Sequence, residues 1–176
     1  MTPWFPLTSR ARPAVLMAAL LALTAGSAAG QSLTISRGAR METVTPAQFA
    51  ALPRQRVQVT QHDQSHDFEG VTLASLAATV GVDVSHPLQG RDLSAAIRVT
   101  AADGYQVVLA LSEIDPATRK AAVLLADRDG GKPLDAANGP YRLVVSDDLR
   151  PARSARQVTR IEIVDLATSA KRQPAR

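Results

Sequence analysis

Residues 96–111 read AIRVTAADGYQVVLAL, and their pattern decides the fold class. Ala96 to Ala101 and Tyr105 to Leu111 are strand-like runs, and Asp103-Gly104 stands between them. Asp-Gly favours a tight hairpin because glycine takes a positive φ at no steric cost. Downstream, Ser112 to Asp115, ended by Pro116, leaves room for one helical turn. Ala121 to Ala126 is continuously apolar, which predicts a strand buried on both faces. Asp127 to Pro133 is turn-rich, Tyr141 to Val145 alternates, and Asp147 to Ala155 is a polar loop. Thr159, Ile161 and Ile163 predict a last strand. Upstream, Thr72 caps a helix in which Leu73, Leu76, Ala77 and Val80 form one apolar stripe. Arg56 to Gln61 alternates through Val57 and Val59, a further strand. Val44 to Leu52 carries the signs of a capped short helix: Thr45 at the N-cap, Pro46 at the first turn and Gln48 to close a capping box. Gln31 to Arg40 is polar and without period, and reads as a loose lead-in. Strands dominate and no βαβ rhythm is present. The expected class is α+β: a strand-rich mixed or largely antiparallel sheet with short helices.

The N-terminus has a separate logic. Arg10 and Arg12 precede an apolar run from Ala14 to Ala25, and the small residues Gly26-Ser27-Ala28-Ala29-Gly30 follow. Positive charge, apolar stretch and small-residue site in that order form a cleavable secretory signal. Cleavage after Ala29 or after Gly30 fits equally. The run is shorter than the roughly 20 residues that span a bilayer, so a membrane anchor is disfavoured. The expected organisation is a signal at 1–30, a lead-in and short helix at 31–55, a domain at 56–165 and a flexible basic tail at 166–176. Arg10-Ala11-Arg12 is not a twin-arginine pair, which favours export of the unfolded chain to the periplasm or beyond.

Charge does not argue for a nucleic-acid partner, and none is expected. Without residues 1–30 the chain carries 18 basic and 16 acidic side chains, a balance of +2, and no basic run is interleaved with aromatics. The chain has no cysteine. That removes disulfides, thiolate metal ligands, iron–sulfur clusters and cysteine nucleophiles together.

Four constellations bear on chemistry. His62 and His66, flanked by Asp63 and Asp67, have a zinc-like spacing, but they fall on a turn with no third ligand, so a solvated turn is the better reading. Asp127-Arg128-Asp129-Gly130 starts like a calcium loop, yet Lys132 occupies the glycine position, so it reads as a turn. Arg150, Arg153, Arg156 and Arg160, with Arg142 on the preceding strand, offer flat forks of donors that match phosphate, sulfate or carboxylate. The alternative is a solvated surface that pairs with Asp147 and Asp148. Asp103-Gly104-Tyr105 either holds a tyrosine and a carboxylate over a pocket or simply makes its turn.

The segments FEGVTLASLAATVGV (68–82), VTAADGYQVVLALSEIDP (99–116) and VLLADRDGGKPLDAANGPYRLVVSDDLRPARSARQVTRIEIV (123–164) resemble the oxidoreductase molybdopterin-binding domain of the sulfite-oxidase type. The blocks Ala102 to Tyr105, Leu125 to Leu134, Gly139-Pro140 and Arg150 to Val158 carry the resemblance. It implies a mixed, strand-rich α/β fold. In enzyme members it also implies a molybdenum–pterin cofactor whose phosphate is held by arginines and whose metal takes one cysteine thiolate. This chain departs from that pattern. It has no cysteine, reads Ser154-Ala155 where the family has an aromatic residue and valine, lacks the usual N-terminal part of the domain, and lacks the twin-arginine signal. The resemblance therefore implies a non-catalytic binding or accessory module with no cofactor. Asp103, Tyr105, Arg142, Arg153 and Arg156 would form a pocket for a small anionic ligand or a periplasmic partner protein. The alternative is a molybdopterin-dependent oxidoreductase, or a subunit of one, that binds pterin without the thiolate.

Overall fold

In the computed structural model, Met1, residues 31–61 and residues 63–167 are described; the expected signal at 1–30 beyond Met1, His62 and residues 168–176 lie outside the described residues. The continuous apolar run becomes β7 (Val123–Asp129). Because strand side chains alternate between faces, one run serves two interiors. Val123 and Leu125 enter the main core, and Leu124 and Ala126 enter a smaller one.

β7 is central to a sheet ordered β3 (Arg54–Gln61), β4 (Gln64–Thr72), β7, β8 (Lys132–Pro133), with β9 (Arg142–Val145) also paired to β7. The second sheet runs β2 (Arg40–Val44), β1 (Leu33–Arg37), β10 (Val158–Asp165), β5 (Ala95–Ala101), β6 (Gln106–Ala110). The class is thus mixed α and β with two sheets, strand-rich, with few and short helices. Both sheets contribute to the main core, as Ile97, Val99, Leu109 and Ile161 from one sheet and Val71, Leu125 and Leu143 from the other show. Burying each such side chain stabilises the fold by roughly 1.5–3 kcal/mol.

Helix α1 (Pro46–Ala51) starts as its sequence dictates. The Thr45 hydroxyl accepts from the Gln48 N–H at 3.3 Å, and the Gln48 side chain accepts from the Thr45 N–H at 2.9 Å. Helix α2 (Leu73–Ala78) is capped by Thr72 and buries Leu73, Leu76 and Ala77. The helical turn before Pro116 forms at Leu111–Ile114. Among the described residues no helix is long and apolar enough to cross a membrane.

The expected loose lead-in is corrected by the structure. Residues 33–44 form the β1–β2 hairpin, and β1 lies parallel to β10, with Ile35 beside Ile161. Leu33 and Ile35 are fully buried, and Val44 and Phe49 join them in the main core. The 31–55 segment is therefore built into the same core as the rest. Two apolar positions in one short strand give too little periodicity to announce it, and its partner lies at the far end of the chain.

The Asp-Gly hairpin forms with a connection one residue longer than the tightest turn. Ala102 to Gly104 link β5 to β6, the Ala101 N–H donates to Tyr105 O at 2.9 Å, and Gly104 has φ +85. Gly70 is needed for a different reason. The pairing of β4 with β7 shifts register between Glu69 and Gly70, and a Cβ at 70 would lie 2.1 Å from the Leu125 carbonyl oxygen.

Candidate functional site

A groove of about 450 Å³ opens where the β5–β6 hairpin tip meets the segment that follows the short Pro151–Arg153 turn. Asp103, Tyr105, Ala152, Ser154, Arg156 and Gln157 line it. Three of the five expected site residues therefore converge. Arg142 and Arg153 do not line the groove.

Its walls are tied together by short local bonds. The Asp103 carboxylate accepts from the Tyr105 N–H at 2.9 Å, which fixes the hairpin tip. The Tyr105 hydroxyl donates to Ala152 O at 2.7 Å and joins that tip to the opposite wall. Tyr105 is otherwise half exposed, at 50%. Gln157 was not among the residues expected from sequence. It has φ +51, a region few residues other than glycine adopt. Three bonds hold it there: its side chain donates to Ala136 O at 2.7 Å, its N–H to Asn138 O at 3.2 Å, and its carbonyl accepts from the Ala102 N–H at 2.9 Å. A glutamine in sequence carries no sign of this backbone state.

The arginines divide by environment. Arg153 grips Asp148 with two donors, at 2.9 and 2.5 Å, and both Glu113 oxygens at 3.2 and 3.0 Å. The bonds to Asp148, then those to Glu113, raise its pKa above the ordinary arginine value, against the effect of burial. Arg119 extends this network to Glu113 and Asp147. The Arg153 fork is thus committed to carboxylates of its own chain.

Arg142 is 6% exposed and meets neutral acceptors. Its Nε donates to Ser154 Oγ at 2.9 Å, one Nη to Asn138 Oδ1 at 3.3 Å and the other to Gln61 Oε1 at 2.8 Å. Its guanidinium lies 5.0 Å from the centre of the Phe68 ring. Burial and then the charge of Arg156 lower its pKa, with Asp129 and Asp135 acting in the opposite sense. A guanidinium remains charged in proteins, so this buried cation is held by dipoles and a ring face.

Arg156 is exposed. It has no hydrogen bond or ion pair among the described residues, only the longer-range fields of Asp135 and Arg142. It is the groove's cation, and Asp103 stands on the other wall.

The remaining candidates lie elsewhere. His66 stacks on Phe68 with ring centres 5.2 Å apart, and its Nδ1 lies 2.6 Å from Asp129. Its expected companion, His62, lies outside the described residues. Asp127 pairs with Arg54, and Gly130 turns the chain from β7 into β8. Among the described residues no three His, Cys, Asp or Glu side chains converge as a metal site. A larger recess, about 910 Å³, lies between the β1–β2 turn and the end of β10. None of the expected site residues lines it, and Arg37 there is already paired with Asp92.

The residues present do not fit a molybdenum–pterin group. The chain offers no thiolate, and Arg153, one of the arginines expected in the anion pocket, is bonded to two carboxylates of its own chain. No family model matches the chain, and no curated protein matches it.

Proposed function

We propose that this chain is an exported, non-catalytic binding module on a sulfite-oxidase-type molybdopterin-binding fold, and that its groove takes a small anionic ligand. The charge, apolar run and small residues at 10–30 support export. One observation carries the binding role: Arg156 brings a fork of donors to a concave site and has no hydrogen bond or ion pair among the described residues. Such a fork recognises planar or tetrahedral anions bidentately. Asp103, opposite, keeps one carboxylate oxygen beyond the bond to the Tyr105 N–H, which suits a ligand that also bears an amine or hydroxyl. The same groove is the contact for an accessory role beside a periplasmic partner protein.

The test is elemental analysis and mass spectrometry of small molecules retained by natively purified protein. The expected result is no stoichiometric molybdenum and a retained anion that Arg156→Ala releases. One molybdenum per chain, or a retained anion indifferent to Arg156→Ala, overturns the reading.

A further inference from the structure

Strand edges expose unpaired backbone donors and acceptors, and proteins guard them with charge or cover. The β9 edge is covered: the Leu143 N–H donates to Ala155 O at 2.8 Å, and the Val158 N–H donates to Tyr141 O at 2.9 Å. β3 carries Arg54 and Arg56, and β2 carries Arg40 and Glu42. β6 reads QVVLA and carries no charge.

The hairpin fixes which groups of β6 face outward. The Ala101 N–H donates to Tyr105 O, so these residues form a hydrogen-bonded pair. In an antiparallel ladder such pairs recur at every second residue. Val107 and Leu109 thus turn their backbone groups toward β5, and Gln106, Val108 and Ala110 turn theirs away. Ala110 agrees: its N–H donates to the Glu113 carboxylate at 3.2 Å rather than to β5. The backbone groups of Gln106 and Val108 have no partner among the described residues. The Val108 side chain is 60% exposed.

We propose that β6 joins two copies of this chain, antiparallel about a two-fold axis through Val108. The strand is self-complementary under that operation. Val108 meets its own counterpart, Gln106 meets Ala110, whose N–H Glu113 already holds, and no charged side chain of β6 opposes another. The same operation on β2 would set Glu42 against Glu42, and on β3 it would lay two arginine-bearing strands together. A two-fold contact buries the same patch on both copies and merges two five-stranded sheets into one. This inference is independent of the groove's ligand.

Sedimentation equilibrium of the purified chain, read with far-ultraviolet circular dichroism, tests it. The wild type is expected to dimerise across the micromolar range. Val108→Glu and Val108→Lys should each weaken the dimer at least ~10-fold, because like charges then face one another, and mixing the two variants should restore it. A wild type that stays monomeric, or a dimer indifferent to Val108→Glu, overturns the proposal. A second route does not depend on tolerating a charge. The chain has no cysteine, so Val108→Cys supplies its one thiol and should oxidise to a linked dimer. Met41→Cys, 68% exposed on the guarded edge, should not. Equal linking of both variants, or of neither, overturns the two-fold contact.

Discussion

Arg142, on the strand before the polar loop, and Arg153, within that loop, have opposite surroundings. Arg153 is partly open and held by two carboxylates, whereas Arg142 is closed from water and held by two amides and a hydroxyl. Three residues beyond Arg153, Arg156 has neither arrangement. An arginine-rich loop is thus not one anion site. What each guanidinium does is set by which acceptors the fold brings to it, and of these three only Arg156 lines the groove.

The sharpest way to break this contrast is Arg142→Ala. It strands Gln61, Asn138 and Ser154 and uncovers Phe68. A loss of about 3 kcal/mol is expected in urea denaturation. Arg153→Ala should lose about 1 kcal/mol, because its side chain is 34% exposed and such pairs are screened. That loss should shrink in ~1 M salt, where the screening length falls to ~3 Å; the Arg142→Ala loss should not.

Acid separates the two kinds of arginine further. On β3 and β4, Arg54 and Arg56 bond Glu69. Burial alone would raise the Glu69 pKa, but the two arginines outweigh it and hold the carboxyl below its ordinary value. A pKa depressed by folding stabilises fully above the unfolded value of ~4.3 and is lost as pH falls through the folded value. Glu69→Gln should flatten the acid limb of the stability–pH curve, and Arg142→Ala should leave its slope intact. The smallest effect on stability belongs to Arg156→Ala. Its midpoint should stay within about 0.5 kcal/mol of wild type, while binding of the retained anion is lost.

Much of the fold was legible because its signals are local. Thr45-Pro46-Gln48 specify a helix start within four residues, and the apolar run at 121–126 announces a strand with no exposed face. Asp103-Gly104 locates the hairpin, although the connection is one residue longer than the dipeptide suggests. What stayed hidden depends on distant partners. β1 is defined by β10, and the acceptors of Arg142 come from three separate segments. The site was half legible. Turn chemistry pointed to Asp103 and Tyr105, and residue type pointed to Arg156, but nothing local says that Glu113 reaches Arg153 or that Gln157 adopts a positive φ. The pairing of loop arginines with Asp147 and Asp148 was foreseeable from their proximity. Asp148 indeed takes Arg153, while Asp147 takes Arg119 from another loop.

The strand shared by two interiors has a consequence for how the molecule opens. Leu124 and Ala126 anchor one interior, Val123 and Leu125 the other, and β4 and β9 flank the strand on both sides. The amides of 123–126 lie between two interiors and bond alternately toward β4 and β9, so baring all of them requires both neighbouring strands to part. Their slowest exchange is therefore expected to track the most global opening of the fold, whereas the exposed β2 edge reports only its own local fluctuations.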